Sequence, residues 1–201
     1  MNEKSIENKT RETLINTGAL LIHRQGYNNT GLKEILEAAG VPKGSFYFYF
    51  KSKEDFGLQL IDHYRDMLEG IFRHNADNKS LDPLERLDSF LNRIETIAEK
   101  TAFTLGCPIG NMVQELSAIN ENFRQKLLEA YNGMIGMIAG LLEEAREGGR
   151  VSSDTDCREL ARFLFNSYQG ALLHMKAEKS TAPLEVMRKF FRRYIELNQK
   201  Q

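Results

Sequence analysis

The sequence predicts an all-α protein of about nine helices, with an N-terminal three-helix helix-turn-helix domain followed by a larger helical one. Three observations carry this reading. Apolar residues recur at three- and four-residue spacing along most of the chain, and no run alternates as a strand would. Ala39, Gly40 and Val41 also join two short helical patterns so tightly that the helices must cross steeply. With 201 residues, 41% of them hydrophobic and 27% charged, the chain can bury a substantial core and lacks the composition of a disordered one.

The first helix is expected over residues 8–25, with Leu14, Ile15, Ala19, Leu20 and Ile22 as its apolar stripe and Gly26 as its stop. A second starts at Thr30, whose hydroxyl can accept from the orphan N–H groups of the first turn, and buries Leu32, Ile35, Leu36 and Ala39. Gly40 supplies the left-handed residue that ends it, and Pro42 suits the first turn of a very short third helix anchored by Phe46 and Phe50. Ser52, with Asp55 three residues on, resembles a capping box for a fourth helix running to about His74. Polar residues 75–83 read as a hinge or linker. Further helices are expected over 84–103, 108–119, 121–148, 156–179 and 183–199. The domains are expected at 1–55, with the helix-turn-helix motif at about 31–50, and at 56–201.

Composition excludes several functions. The formal net charge is −1, so the molecule as a whole is not a basic nucleic-acid binder, yet residues 40–53 carry Lys43, Lys51 and Lys53 and no acid. No apolar run is long enough to cross a membrane, and the N-terminus lacks a signal peptide, so no membrane partner is expected. Cys107 and Cys157 form neither a metal pattern nor a disulfide framework, which makes a reducing cytoplasm the simplest compartment. His23, His63, His74 and His174 are scattered among no catalytic motif, so neither an enzyme nor a metal or cofactor is expected.

The third helix carries the functional signal. Lys43, Gly44, Ser45, Tyr47 and Tyr49 are left to face outward, an odd surface for solvent and a sensible one for nucleic acid. Lysine neutralises phosphate, glycine admits a close backbone, and hydroxyls bond phosphate oxygens or base edges. The run from Gly44 to Phe56, G-S-F-Y-F-Y-F-K-S-K-E-D-F, resembles the recognition helix and following helix start of the tetracycline-repressor (TetR) family of bacterial transcriptional regulators. A-A-G-V-P-K before it resembles that family's turn, and G-Y-N-N-T at 26–30 its approach to the second helix. The resemblance is dense over residues 10–60. It implies phosphate contacts for Thr30, Tyr47, Tyr49 and Lys53, and positions close to base edges for Lys43, Gly44 and Ser45. Phe48 stands where the family often has a larger polar-tipped aromatic.

The resemblance further implies a homodimer on a double-stranded, palindromic DNA operator, with recognition helices roughly 34 Å apart or somewhat more. It implies a C-terminal regulatory and dimerisation domain holding a small-molecule effector. Candidate lining residues are Met67, Phe103, Cys107, Asn111, Met112, Glu115, Met134, Met137 and Tyr168, which combine apolar bulk with isolated polar groups. Cys107 precedes Pro108 and is placed as the N-cap of the sixth helix, where exposed N–H groups favour a thiolate that could read an oxidant or electrophile. The alternative is a small buried residue at a helix start. Gly133, Gly136 and Gly140 either allow a close helix crossing or leave room for ligand.

Leu160, Phe163, Leu164, Tyr168, Ala171, Leu172 and Met175, with Leu184, Met187, Phe190, Phe191, Tyr194 and Ile195, form two terminal stripes that either pair across a two-fold axis or close the subunit's own core. Arg188, Lys189, Arg192 and Arg193 could form a second nucleic-acid patch, but Glu185 four before Lys189 and Glu196 four before Lys200 favour a solvated face with helical ion pairs. Two rival readings are a helical thiol enzyme using Cys107 with His63 or His174, and an adaptor that has lost DNA binding.

Overall fold

Helix boundaries follow local chemistry. The computed structural model describes residues 3–198, with side chains from Asn8 onward, and contains nine helices and no strand among them. In order these are α1 (Glu3–Gln25), α2 (Leu32–Ala39), α3 (Lys43–Tyr49), α4 (Lys53–Ala76), α5 (Pro83–Lys100), α6 (Pro108–Leu116), α7 (Glu121–Glu147), α8 (Cys157–Glu178) and α9 (Ala182–Asn198). The all-α expectation holds. Two compact units emerge: residues up to Asp66 with Pro108–Ala130, and Met67–Cys107 with Tyr131 onward.

In the first unit, Leu14, Ile22, Ile35, Phe46, Phe50, Phe56 and Leu60 form the core. Gly18 is required where α1 meets α4, because a Cβ there would lie 2.4 Å from the Phe56 ring. The Tyr64 hydroxyl, donating to Ala19 O at 2.6 Å, ties the same two helices. Leu20 departs from expectation at 63% exposure. At about 100° per residue it points away from the arc shared by Leu14, Ile15, Ala19 and Ile22. Helix α1 also starts earlier than expected, since nothing in the preceding residues breaks it.

Gly40 ends α2 at φ 66, and the N–H groups of Gly40 and Val41 bond back to Glu37 and Leu36. This is a Schellman cap. Pro42 serves as N-cap of α3. Ser52 Oγ accepts from Asp55 N–H as the capping-box reading requires, while the Asp55 carboxylate accepts from Lys51 N–H.

In the second unit, residues 75–83 are fastened at both ends. The guanidinium of buried Arg86 donates to Ala76 O at 2.8 Å and pairs with Glu144, and Lys79 donates to the same carboxylate at 3.1 Å. Asp82 and Glu85 form a full capping box at the start of α5. Helix α5 stops at Lys100, short of the expected Phe103. Ala102 and Phe103 adopt φ of 49 and 57, and their N–H groups bond back to Glu99 and Ala98. Asp156 caps α8 by accepting from Arg158 and Glu159 N–H at 2.9 Å each.

The terminal stripes divide. Leu160, Leu164, Tyr168, Leu172 and Met175 of α8, with Leu184, Met187, Phe191 and Ile195 of α9, are buried within the subunit. Phe163 (64% exposed), Phe190 (70%) and Tyr194 (42%) turn outward instead, joined by Leu173, Val186 and Leu197. Two of the α9 cations, Arg188 and Arg192, pair across to α5 and not along their own helix. Arg188 meets Glu95 at 3.0 Å and Asn92 at 2.6 Å, and Arg192 meets Asp88 at 2.6 Å. Glu185 accepts from the Thr181 hydroxyl at 2.7 Å, and Glu196 pairs with Arg193, while Lys200, its expected partner, lies outside the described residues.

Candidate nucleic-acid interface

Helix α3 has seven residues, too few to hold itself in water, so its orientation depends on its anchors. Phe46 and Phe50 are 0% and 1% exposed and pack with Phe56 in a tilted and a T-shaped contact, at centroid distances of 5.7 and 4.9 Å. With that face committed, Lys43, Gly44, Tyr47 and Phe48 lie in solvent, and Ser45 and Tyr49 are half-exposed. Nothing lies within 4 Å of where a Gly44 Cβ would stand, so the backbone there is open to close approach. Phe48 is the most exposed large apolar residue of α3, at 70%. Its ring packs edge-on to Tyr49 at 5.0 Å. Lys33 and Lys51 add exposed cations nearby in sequence.

Two residues expected at phosphates are engaged within the protein in this structure. Thr30 is fully buried, and its hydroxyl donates to Gly26 O at 2.6 Å. The N-cap of α2 is Gly31, with no side-chain cap, so the first N–H groups of that helix are left without the hydroxyl predicted for them. Lys53 points inward: its ammonium donates to Tyr27 O at 2.8 Å and sits 4.5 Å from the Tyr27 ring centre. Burial pushes its pKa down, opposed by the Glu115 carboxylate. Burial, with Glu54 nearby, raises the Tyr27 phenol to about 12, so it stays a donor, to Lys53 O at 2.9 Å.

Glu115, a candidate pocket residue, is engaged by the N-terminal part of the chain. Its carboxylate accepts from the N–H groups of Tyr27 and Asn28, at 3.3 and 3.0 Å, in the connection between α1 and α2. No local signal could have shown this, because the partners lie 88 and 87 residues apart. Asn111 and Met112 belong to the same unit, Met112 buried at 2% exposure.

The remaining candidate pocket residues belong to the second unit. Cys107 is buried immediately before α6, and its sulfur accepts from Gln169 Nε2 at 3.5 Å. Burial raises the phenols of Tyr168 and Tyr131 well above the ordinary range, and the Cys107 sulfur raises both further. The thiol and the amide are thus hydrogen-bonded, and two phenols feel the sulfur's charge. Tyr131 and Gln169 were not singled out from the sequence; Gln169 adjoins Tyr168, and Tyr131 lies one helical turn before Met134. Met134 is buried, Phe103 and Met137 are half-buried, and Met67 is 40% exposed. The glycines of α7 do not mark a close helix crossing within the subunit, since a Cβ on Gly136 or Gly140 would meet nothing within 4 Å. His63 packs against Tyr64 and His174 is exposed. Among the described residues no cluster suited to a metal ion occurs, and no helix is long and apolar enough to cross a membrane.

Residues 14–60 match the family of bacterial regulatory proteins, tetR family, and residues 83–191 match the tetracyclin repressor-like C-terminal domain. The chain belongs to the TetR family. Among its relatives, the transcriptional regulator AcuR of Cereibacter sphaeroides is 36% identical, the match covering 91% of this chain and 84% of AcuR. The repressor DhaR of Mycobacterium sp. (strain GP1) is 34% identical over 87% of this chain and 86% of its own. The repressor NemR of Escherichia coli K12 is 31% identical over 90% and 92%. The crystal structure of regulatory protein TetR from Rhodobacter sphaeroides superposes with a TM-score of 0.85 at 36% identity, covering 90% of this chain and 96% of that one. The reduced form of E. coli NemR superposes at 0.81 and 28% identity, covering 92% and 96%. As a TetR-family protein this chain is a helix-turn-helix transcriptional regulator, and α2 and α3 are its helix-turn-helix.

Proposed function

We propose that this TetR-family protein is a one-component repressor that binds a palindromic operator as a homodimer and is released by a small molecule or a thiol-reactive compound. Residues 1–55 are assigned to DNA binding and 56–201 to effector binding and dimerisation. The observation that carries the DNA reading is the outward face of α3, where Lys43, Gly44 and Tyr47 are exposed because Phe46 and Phe50 hold the opposite face in the core. Lys43 neutralises phosphate, Gly44 lets the backbone close on a groove edge, and Ser45, Tyr47 and Tyr49 donate to phosphates or bases. Thr30 and Lys53 act from beneath that surface by fixing the connection before α2.

The dimer reading rests on the outward residues Phe163, Leu173, Val186, Phe190 and Tyr194. They border an apolar groove of about 770 Å³ between α8 and α9. An isologous four-helix contact would cover it. The thiol reading rests on Cys107 beside Gln169, Tyr131 and Tyr168, and draws support from relatives named as repressors, one of them solved in a reduced form. An effector that binds better to a subunit arrangement with misplaced recognition helices shifts the population away from DNA.

Selection of bound DNA from a random pool tests the reading, and enrichment of a palindrome is the expected result. A compound screen on that operator then follows, with reactive aldehydes and quinones run on wild type and Cys107→Ser. Release of wild type alone assigns the sensing thiol, equal release of both removes it, and a pool with no enriched sequence overturns the repressor reading.

A further inference from the structure

The connection between α1 and α2, residues 26–31, is short, and side chains reinforce its backbone bonds from Gly26 N–H to Ile22 O and Thr30 N–H to Tyr27 O. Asn29 Nδ2 donates to Gln25 O at 3.0 Å, the Thr30 hydroxyl to Gly26 O at 2.6 Å, and the Lys53 ammonium to Tyr27 O at 2.8 Å. These partners all come from the N-terminal segment itself. Glu115 does not: it reaches in from α6 and accepts from two successive backbone N–H groups, at Tyr27 and Asn28. The site is built around that carboxylate. Gly26 stands at φ +91, and a Cβ there would lie 2.6 Å from a Glu115 oxygen, so only glycine leaves room for the grip. Phe123, at the start of α7, packs edge-on to the Tyr27 ring at 5.3 Å. The connection leads directly into α2, eight residues long, and through the Gly40 cap into α3.

We propose that Glu115 is a positioning residue for operator recognition: its two hydrogen bonds set the α1–α2 connection, and with it the recognition helix, in the DNA-competent arrangement. This rests on the DNA-binding reading above. The effect has a sign that charge alone cannot give. Removing an anion from a DNA-binding unit strengthens binding to a polyanion on electrostatic grounds, whereas loss of positioning weakens it.

The test uses the full chain and the operator recovered by selection, with Glu115→Gln and Glu115→Ala measured for operator affinity over a salt series. Amide exchange is followed at Tyr27, Asn28 and the α1 core residues Leu14 and Ile22. Charge-assisted hydrogen bonds are among the stronger ones, so Glu115→Ala is expected to weaken affinity about tenfold and Glu115→Gln about threefold. The salt slope should be unchanged, because no phosphate contact is lost, and exchange should quicken at Tyr27 and Asn28 while Leu14 and Ile22 stay protected. Unchanged or tighter binding by both variants overturns the proposal. So does weakened binding accompanied by lost protection at Leu14 and Ile22 in both, which would mark a general stability role. If wild type itself binds no DNA, the DNA-binding reading has failed and the positioning role falls with it.

Discussion

Lys43 and Lys53 carry the same charge ten residues apart, yet their surroundings give them different work. Lys43 is exposed on α3, whereas the Lys53 ammonium is engaged by Tyr27 O and the Tyr27 ring. A direct phosphate contact contributes to the salt dependence of binding, at roughly 0.9 in log–log slope per phosphate neutralised. Lys43→Ala is therefore expected to lower operator affinity and reduce that slope by about 1. Lys53→Ala is expected to lower affinity with the slope unaltered, as a fault in positioning would. Fluorescence-anisotropy titrations between low and moderate salt separate the two, and a slope change for Lys53→Ala would show that its side chain swings out to DNA. The cationic character of residue 53 is plain in the sequence. Its direction is not, because that depends on a carbonyl in a connection whose shape is set by Gly26 and by a carboxylate far along the chain.

At the scale of elements, most boundaries were legible because they are written in short-range chemistry. Gly40 in the left-handed region, Pro108 opening α6 and Ser52 capping α4 each act within a turn or so of themselves. The end of α5 was less legible, since it turns on Ala102 and Phe103 at positive φ, where residues with a Cβ are uncommon. The closing bonds from Ala102 and Phe103 to Glu99 and Ala98 form a cap that would ordinarily use glycine. Ala102→Gly should relieve the left-handed penalty, offset by the greater freedom of glycine when unfolded, and stabilise the protein by about 0.5–1 kcal/mol. Urea unfolding of the two proteins measures this, and a lower midpoint for the variant would show that the strain is not there. Which face of α8 and α9 closes the subunit was also hidden. Periodicity shows that a helix is apolar on more than one side but not which side meets its own chain.

For the whole molecule, the consequence lies in the outward residues of α8 and α9. Phe190 is 70% exposed beside a groove of about 770 Å³, while its neighbour Phe191 is buried in the subunit. In the proposed dimer, a carboxylate in this self-complementary contact would put two like charges together, since each copy contributes one. Phe190→Glu should thus leave the fold intact, shift the protein to monomer in light scattering coupled to size exclusion, and weaken operator binding by more than tenfold through loss of the second half-site. Dimeric behaviour by this variant would place the interface elsewhere.

The segment between α4 and α5 looked from its polar composition like a pivot, and its fastenings make it a buckle. The Arg86 guanidinium grips the last turn of α4 at Ala76 and reaches Glu144, while Lys79 meets that same carboxylate from within the segment. A strut clamped at its foot passes load on without absorbing it. One guanidinium therefore joins α7 at Glu144 to the tail of α4 at Ala76, so that the two ends share a single clasp.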